Sequence, residues 1–553
     1  MSNEATTPKP VELVNVQIDG VWHQFPKGTR IIEACSQAGK FIPRYCYHPK
    51  LSSPGNCRMC MVELGMPKMT PDRKPELGPD GKPLHNWIPR PQISCAQDVS
   101  EGLGVRTASP MVEEARKGVL EFLLINHPLD CPICDQAGEC RLQEFSYDYG
   151  QAKTRFLEEK VKKPKRVEIG PRITLDDERC ILCTRCIRFM REVAKDDVIG
   201  IVERGSYNSI ACHPDRKLDS NYSLNTVDLC PVGALTSTDF RFKMRVWFLK
   251  ETKSICTSCA TGCNTVIGAR ENIVYRQTPR ENNDVNQAWM CDYGRLNFHA
   301  LHSPERLLSP VVNGKEQPDW KAALASAAAA LKAFAPEQIA VITSGKMTNE
   351  ELFLAAQLAK TLGVSKHDIV PHADAGDDIL LSTDRNPNTA GAKLLGLSAS
   401  TPGANLPAIA EGVRNGAIKA LVVLGEDATE AGLTAADLAK LTVLVTTAIL
   451  PNATTAAASH LLPSAGFAEK RGSMINKNGR LQRLNRAIQS PGLARDDWEI
   501  LVGLIEAVTD SSLGFAAIED VVKAMTAATP ALAGLSLSKI GDLGVQLEPI
   551  SAR

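Results

Sequence analysis

No cysteine follows Cys291 in this chain of 553 residues, so the C-terminal half must do its work without thiolates. Net charge is missing too, with 63 Lys and Arg set against 63 Asp and Glu. Without a basic footprint a protein forfeits the counterion-release term that carries non-specific nucleic-acid binding. Aromatic residues make up 5% of the chain, too few for the stacking platforms of single-strand binders. Long apolar runs are absent. The stretch LTVLVTTAIL at 441–450 falls well short of the ~20 residues that a membrane span needs. The N-terminal MSNEATTPKP lacks the charged-then-apolar pattern of a secretory signal, and no G-x-G-x-x-G or Walker A fingerprint occurs. These absences predict a soluble, cytoplasmic, multidomain protein with no nucleic-acid partner and no direct membrane insertion.

What the chain does have is 17 cysteines, all between 35 and 291. In a large chain without a secretory signal, clustered thiols point to metal rather than disulfides. The first group is Cys46, Cys57, Cys60 and Cys95, around RYCYHPKLSSPGNCRMCMVEL. Its C-x2-C pair follows a Ser-Pro-Gly-Asn loop, whose backbone amides suit an anionic cluster. VELVNVQIDG and VWHQFP predict two strands around an Asp-Gly turn, and TRIIEACSQAG a short helix ending at Gly39. This context favours [2Fe–2S], with zinc as the alternative, and residues 66–93 read as an inserted surface loop. The second group, HPLDCPICDQAGEC, has three cysteines, Cys131, Cys134 and Cys140, after a helix-like stretch expected to stop at Pro128. His127 is the nearest fourth donor. From the residues alone it is either a ligand or a bystander.

The third group is Cys180, Cys183 and Cys186, with Cys230 before Pro231. Two-cluster ferredoxins repeat C-x2-C-x2-C-x3-C-P, each half lending its last cysteine to the other's cluster. In that register one cluster keeps all four ligands. The other has lost its four, at Met190, Ser220, Ser223 and Thr226. One [4Fe–4S] cluster on a two-cluster scaffold is expected. The fourth group is Cys256, Cys259, Cys263 and Cys291. Its tight C-x2-C-x3-C run suits [4Fe–4S], again with zinc as the alternative. Cys35 and Cys212 read as structural. Arg58, Arg185 and Arg188 stand beside cluster cysteines and either raise potentials or occupy ordinary surface positions. The basic run KVKKPKR at 160–166 reads as a solvated linker.

These motifs, RYCYHPKLS…GNCRMCMVE and INHPLDCPICDQAGEC above all, resemble the large iron–sulfur subunit in the peripheral arm of NADH:quinone oxidoreductase, respiratory complex I, over residues 11–300. The resemblance implies His127 as the fourth ligand of a cluster with Cys131, Cys134 and Cys140. It implies one [2Fe–2S] and three [4Fe–4S] clusters, the Cys256 set matching an additional cluster of some bacterial members. It also implies a relay from an FMN- and NADH-binding partner subunit towards a quinone-reducing module, on the cytoplasmic side of the inner membrane as a peripheral part of the complex. No acid–base catalyst is expected within the chain. An electron-transfer subunit of a soluble NAD-linked hydrogenase or formate dehydrogenase is the alternative.

Beyond residue 306, QIAVITSG, KALVVLGED and KLTVLVTTAIL read as strands between alanine-rich helices. One helix opens with a Thr348/Glu351 capping box and closes at Gly363, so a parallel α/β sheet follows. LLPSAGFAEKRGSMINKNGRLQR at 461–483 resembles a segment of molybdopterin oxidoreductases. With no thiolate left to bind molybdenum, no molybdopterin is expected, and Gly472, Asn476, Gly479 and Arg480 read as turn residues of a scaffolding relic. The fold class is therefore α+β multidomain: a [2Fe–2S] ferredoxin-like β-grasp at 11–100, a helical His-ligated segment at 101–150, a bacterial-ferredoxin-like domain at 151–248, a small [4Fe–4S] domain at 249–305, and a reduced molybdopterin-oxidoreductase-like α/β domain at 306–553.

Overall fold

The computed structural model describes residues 12–548, so the MSNEATTPKP segment lies outside it. The chain divides into two compact units, Met1–Trp247 and Phe248–Arg553. No helix among the described residues is long and apolar enough to cross a membrane.

The first unit opens with the expected hairpin. Leu13–Ile18 pairs with Val21–Pro26 across Asp19 and Gly20, whose φ values of 48° and 86° make the tight turn that matches strand twist. Leu103–Arg106 lies parallel to the first strand and antiparallel to Met61–Pro67, and the helix Ile31–Gln37 ends before Gly39 at φ 74°. Val16, Ile31, Ile32, Val62 and Val105 fill the core beneath. The inserted segment is more than a loop. His85–Trp87 pairs with Met61–Pro67, and Gln92–Ile93 pairs with the same strand. The following helix, Pro110–Leu124, stops short of Pro128. Lys160 donates to the carbonyls of Leu124 and Ile125, both at 2.7 Å, satisfying acceptors a helix end leaves open. Lys165 bonds Asp130 and Glu178, so the basic run is tied down rather than solvated.

In the second unit Lys250–Ile255, Asn264–Arg270 and Ile273–Pro279 form an antiparallel sheet. Five parallel strands follow: Ile339–Ser344, His367–Val370, Ala420–Leu424, Val443–Ala448 and His460–Pro463. Numbered in chain order they lie 2-1-3-4-5, a doubly wound arrangement. Their near-continuous apolar runs fit a sheet covered on both faces. The Thr348/Glu351 capping box opens the helix Asn349–Thr361 as expected, and Gly363 follows its end at φ 69°.

Candidate metal centres

All 17 cysteines are unpaired. In the first group Cys46, Cys60 and Cys95 are buried, and the amide of Cys46 approaches Cys57 Sγ at 3.4 Å. A bond with Cys46 and burial push the Cys57 thiol up, while bonding from Cys95 outweighs burial and draws the Cys60 thiol down. The four side chains therefore face one another. Ser94 Oγ donates to Cys60 O at 2.7 Å and fixes the end of the C-x2-C turn.

Cys180, Cys183, Cys186 and Cys230 line one cavity with about 360 Å³ of empty space, walled by Leu175, Ile210 and Val232. Leu182 (φ 53°) and Thr184 (φ 62°) both adopt left-handed backbone, costing roughly 1–3 kcal/mol each. That winding turns three thiols of a seven-residue loop towards one space. Burial pushes Cys180 and Cys183 up to about 12. Thiolates stay charged there only against a positive centre, which is what an iron core provides. Met190, Ser223 and Thr226, where the second ferredoxin cluster would have its ligands, are fully buried.

His127 is a neutral imidazole in this setting, since burial lowers it to about 4, and its Nδ1 is buried with no hydrogen-bond partner. An unspent nitrogen lone pair beside Cys131, Cys134 and Cys140 is the donor such a site lacks. Asp130 is held by Arg179 at 2.7 Å, and Arg245 donates to Cys134 O at 2.6 Å. A Cβ on Gly233 would lie 2.5 Å from Cys134 Sγ, so only glycine lets the Cys230 loop come this close.

In the fourth group all four thiols are buried. A Cβ on Gly294 would sit 2.8 Å from Cys256 Sγ. Leu380 packs against Cys256, Cys263 and Met290, and its carbonyl accepts from Thr261 Oγ1. Ala260 N donates to Asp384 O at 2.9 Å. From the other side Asn476 Nδ2 donates to Thr261 O at 3.2 Å, and Gln482 Nε2 to Gly262 O at 2.9 Å. The α/β portion thus supplies two walls of this site. Asn476 and Gly479 do shape a turn, Asn476 Oδ1 accepting from Asn478 N and Arg480 N at 3.0 Å each. Gly472 is required for another reason: its Cβ would lie 2.7 Å from Thr348 Cγ2. Sequence reading missed Leu380 and Gln482, which carry no local signal.

Arg188 and Arg185 are not surface residues. Arg188 donates to Cys46 O and Ser52 O, each at 2.5 Å, and to Cys183 O at 3.4 Å. Arg185 donates to Tyr47 O at 2.6 Å and Leu229 O at 3.2 Å. Arg58 is exposed. Cys35 is fully buried and Cys212 donates to Ile169 O at 3.2 Å, both away from the four groups. Among the described residues no His, Cys, Asp or Glu side chains converge tightly enough for a lone metal ion. A multi-iron core, which takes each ligand on a different iron, asks for a wider set.

Five family models match in order: a 2Fe-2S iron-sulfur cluster binding domain at 11–110, the NADH-ubiquinone oxidoreductase-G iron-sulfur binding region at 116–155, the ferredoxin-like domain of NADH-quinone oxidoreductase subunit 3 at 170–236, an NDSU1/NuoG-like 4Fe-4S domain at 249–299, and molybdopterin oxidoreductase at 383–507. These define a multidomain α+β iron–sulfur protein with 2Fe-2S, 4Fe-4S and molybdopterin-like domains. Similarity to whole proteins is more particular. The chain is 40% identical over 360 residues to the NuoG-type subunit of NADH-quinone oxidoreductase from Rickettsia felis, covering 65% of this chain and 50% of that one. It is 38% identical over 386 residues to the mitochondrial NADH dehydrogenase [ubiquinone] iron-sulfur protein 1 of Solanum tuberosum, covering 68% and 49%. The chain belongs to the NuoG family of NADH-quinone oxidoreductase subunits. It spans about half the length of the curated relatives it matches. A solved NAD+-reducing [NiFe]-hydrogenase chain is 26% identical, with 42% of this chain and 91% of that chain covered, at a TM-score of 0.35, too low to bear on the fold.

Proposed function

We propose that the chain is an electron-transfer subunit of an NADH:quinone oxidoreductase, receiving electrons from a flavin-bearing, NADH-oxidising partner subunit and passing them towards a quinone-reducing module. The complex would be peripheral to the cytoplasmic face of the inner membrane. The proposed ligand sets are Cys46, Cys57, Cys60 and Cys95 for [2Fe–2S]; His127, Cys131, Cys134 and Cys140 for [4Fe–4S]; and two further [4Fe–4S] sets, Cys180 with Cys183, Cys186 and Cys230, and Cys256 with Cys259, Cys263 and Cys291. The domains are those expected, at 11–100, 101–150, 151–248, 249–305 and 306–553. Clusters, when bound, accept and release single electrons.

The observation that carries this reading is the central place of the Cys180 set within the first unit. Arg188 ties its Cys183 to Cys46, and Gly233 brings its Cys230 loop against Cys134. The relay order that fits is the Cys46 set, then the Cys180 set, then the His127 set. The chain's own residues hold the ligands, exclude water with Leu175, Ile210 and Val232, and place fixed positive charge between sites. EPR of the reconstituted chain during stepwise reduction is the test. One [2Fe–2S] and three [4Fe–4S] signals are expected. Fewer than three cubane species, or a colourless zinc protein, would overturn the ligand assignment. Co-purification with a hydrogenase instead of membrane subunits would overturn the complex.

A further inference from the structure

We propose that Arg188 is a positioning residue shared by two redox sites, setting the potentials of the Cys46 set and the Cys180 set together. This rests on the cluster reading above. Arg188 lies on the helix Arg185–Glu192, directly after the cysteine loop of the third group, and is 9% exposed. Its Nη2 donates both to Cys46 O at 2.5 Å and to Cys183 O at 3.4 Å, backbone acceptors on a ligand of each site. Its Nη1 holds Ser52 O at 2.5 Å, in the loop before Cys57, and its Nε holds Thr184 Oγ1 at 3.2 Å. One planar group therefore joins segments 142 residues apart in sequence. Lysine, with a single ammonium on a flexible stem, cannot reproduce that fork.

The charge sits where it acts on both sites. A guanidinium keeps its proton in proteins, so the field is constant. Each site takes on negative charge when reduced, and a nearby fixed cation favours that state. Arg185 stands alongside, reaching Tyr47 O and Leu229 O, and adds a second cation between the same two segments. The facing anion is Glu192, one turn further along the helix. It is engaged with Ser52, accepting from Ser52 N at 2.9 Å and from Ser52 Oγ. Two cations against one engaged carboxylate leave net positive charge at the junction. One residue thereby moves two potentials in step, keeping their difference, and so the driving force between them, nearly constant.

The experiment is an EPR-monitored redox titration of the full reconstituted chain with Arg188→Gln, Arg188→Lys and Arg58→Gln. Arg188→Gln is expected to lower both potentials, shifting each oxidised-to-reduced ratio about tenfold, or about 59 mV for a one-electron couple. Arg188→Lys, which keeps the charge but releases the fork, is expected to shift both ratios the same way by about threefold. It is the variant to read if glutamine costs the clusters. Arg58→Gln, an exposed position beside Cys57, is expected to leave both unchanged. A shift in only one potential, or none, in either Arg188 variant with both signals intact overturns the proposal. Absence of the two signals from the unaltered chain would instead overturn the cluster reading.

Discussion

His127, Cys131, Cys134 and Cys140 come from one short segment, with Leu129 and Ile133 exposed at 75% and 65% beside them. The Cys256, Cys259, Cys263 and Cys291 thiols are all buried, closed in by Leu380 on one side and by Asn476 and Gln482 on the other. The first arrangement suits a site that hands electrons onward, because a ligand set near the surface can come close to an outside partner. The second suits a site kept from solvent and from partners, whose integrity depends on a domain far along the chain. Both sets fit iron–sulfur chemistry, yet one is a local device and the other a tertiary one.

Substituting a ligand is the strongest way to break this contrast. Cys263→Ser is expected to remove one [4Fe–4S] signal while the three sites of the first unit keep theirs. Cys183→Ser is expected to remove a different one and to stop reduction of the His127 site from the Cys46 set. Iron content and EPR on both variants check this, and loss of all signals in either would show that the sites are not independent.

Gly262→Ala sharpens the tertiary side. Gly262 has φ 64°, and a Cβ there would fall 2.6 Å from Gln482 Oε1. The strain and the displaced Gln482 bond together cost about 1–3 kcal/mol. Denaturant unfolding is expected to show that loss, with faster bleaching of the fourth site alone. Equal bleaching of all sites would contradict the separate construction.

His127→Cys addresses the local side. The cluster is expected to persist at a lower potential, because thiolate adds a negative charge that imidazole does not. An unshifted signal in His127→Ala would show that the histidine is not a ligand.

The smallest effect concerns pH. Burial acts upward on Asp19, but the Thr107 amide and hydroxyl, at 2.7 Å each, together with Lys40, outweigh it and hold the carboxyl below its ordinary value. The unfolded chain takes up that proton first as pH falls, so this stabilisation is present above about pH 3.9 and lost as pH drops through the folded value. Glu350 runs the other way. Burial raises it, and the Ser473 amide and hydroxyl offset only part. Its contribution is present below about pH 4.3 and lost as pH rises towards the folded value, because the unfolded chain ionises first. Asp19→Asn and Glu350→Gln are expected to flatten the acid side and the rising side of the denaturation midpoint respectively. Midpoints that stay parallel to the parent across pH would rule out both.

The cysteine groups were legible in the sequence because their ligands lie close together and their spacing is set by loop geometry. The Asp19-Gly20 turn and the Thr348/Glu351 capping box were legible for the same reason: the chemistry and the residues are neighbours. Arg188 was visible only as a charge beside a cysteine. Its grip on Cys46 needs the folded chain, and so does the approach of Gln482 to Gly262, 220 residues away. Pro128 misplaced the end of the Pro110–Leu124 helix, since the true end is fixed by Lys160 reaching back to its last carbonyls. The run 66–93 looked irregular because proline and glycine obscure the short pairing of His85–Trp87.

The two walls of the fourth site also impose a schedule. A chain emerging from the ribosome makes residues 256–291 well before 380 and 482 exist, and domains fold broadly in order of synthesis. The first unit can therefore gather its ligand sets while translation continues. The fourth set remains unroofed until the α/β portion folds over it, so iron either enters before that closure or waits for the domain to open. Assembly of this one site is thereby tied to the last stage of making the protein.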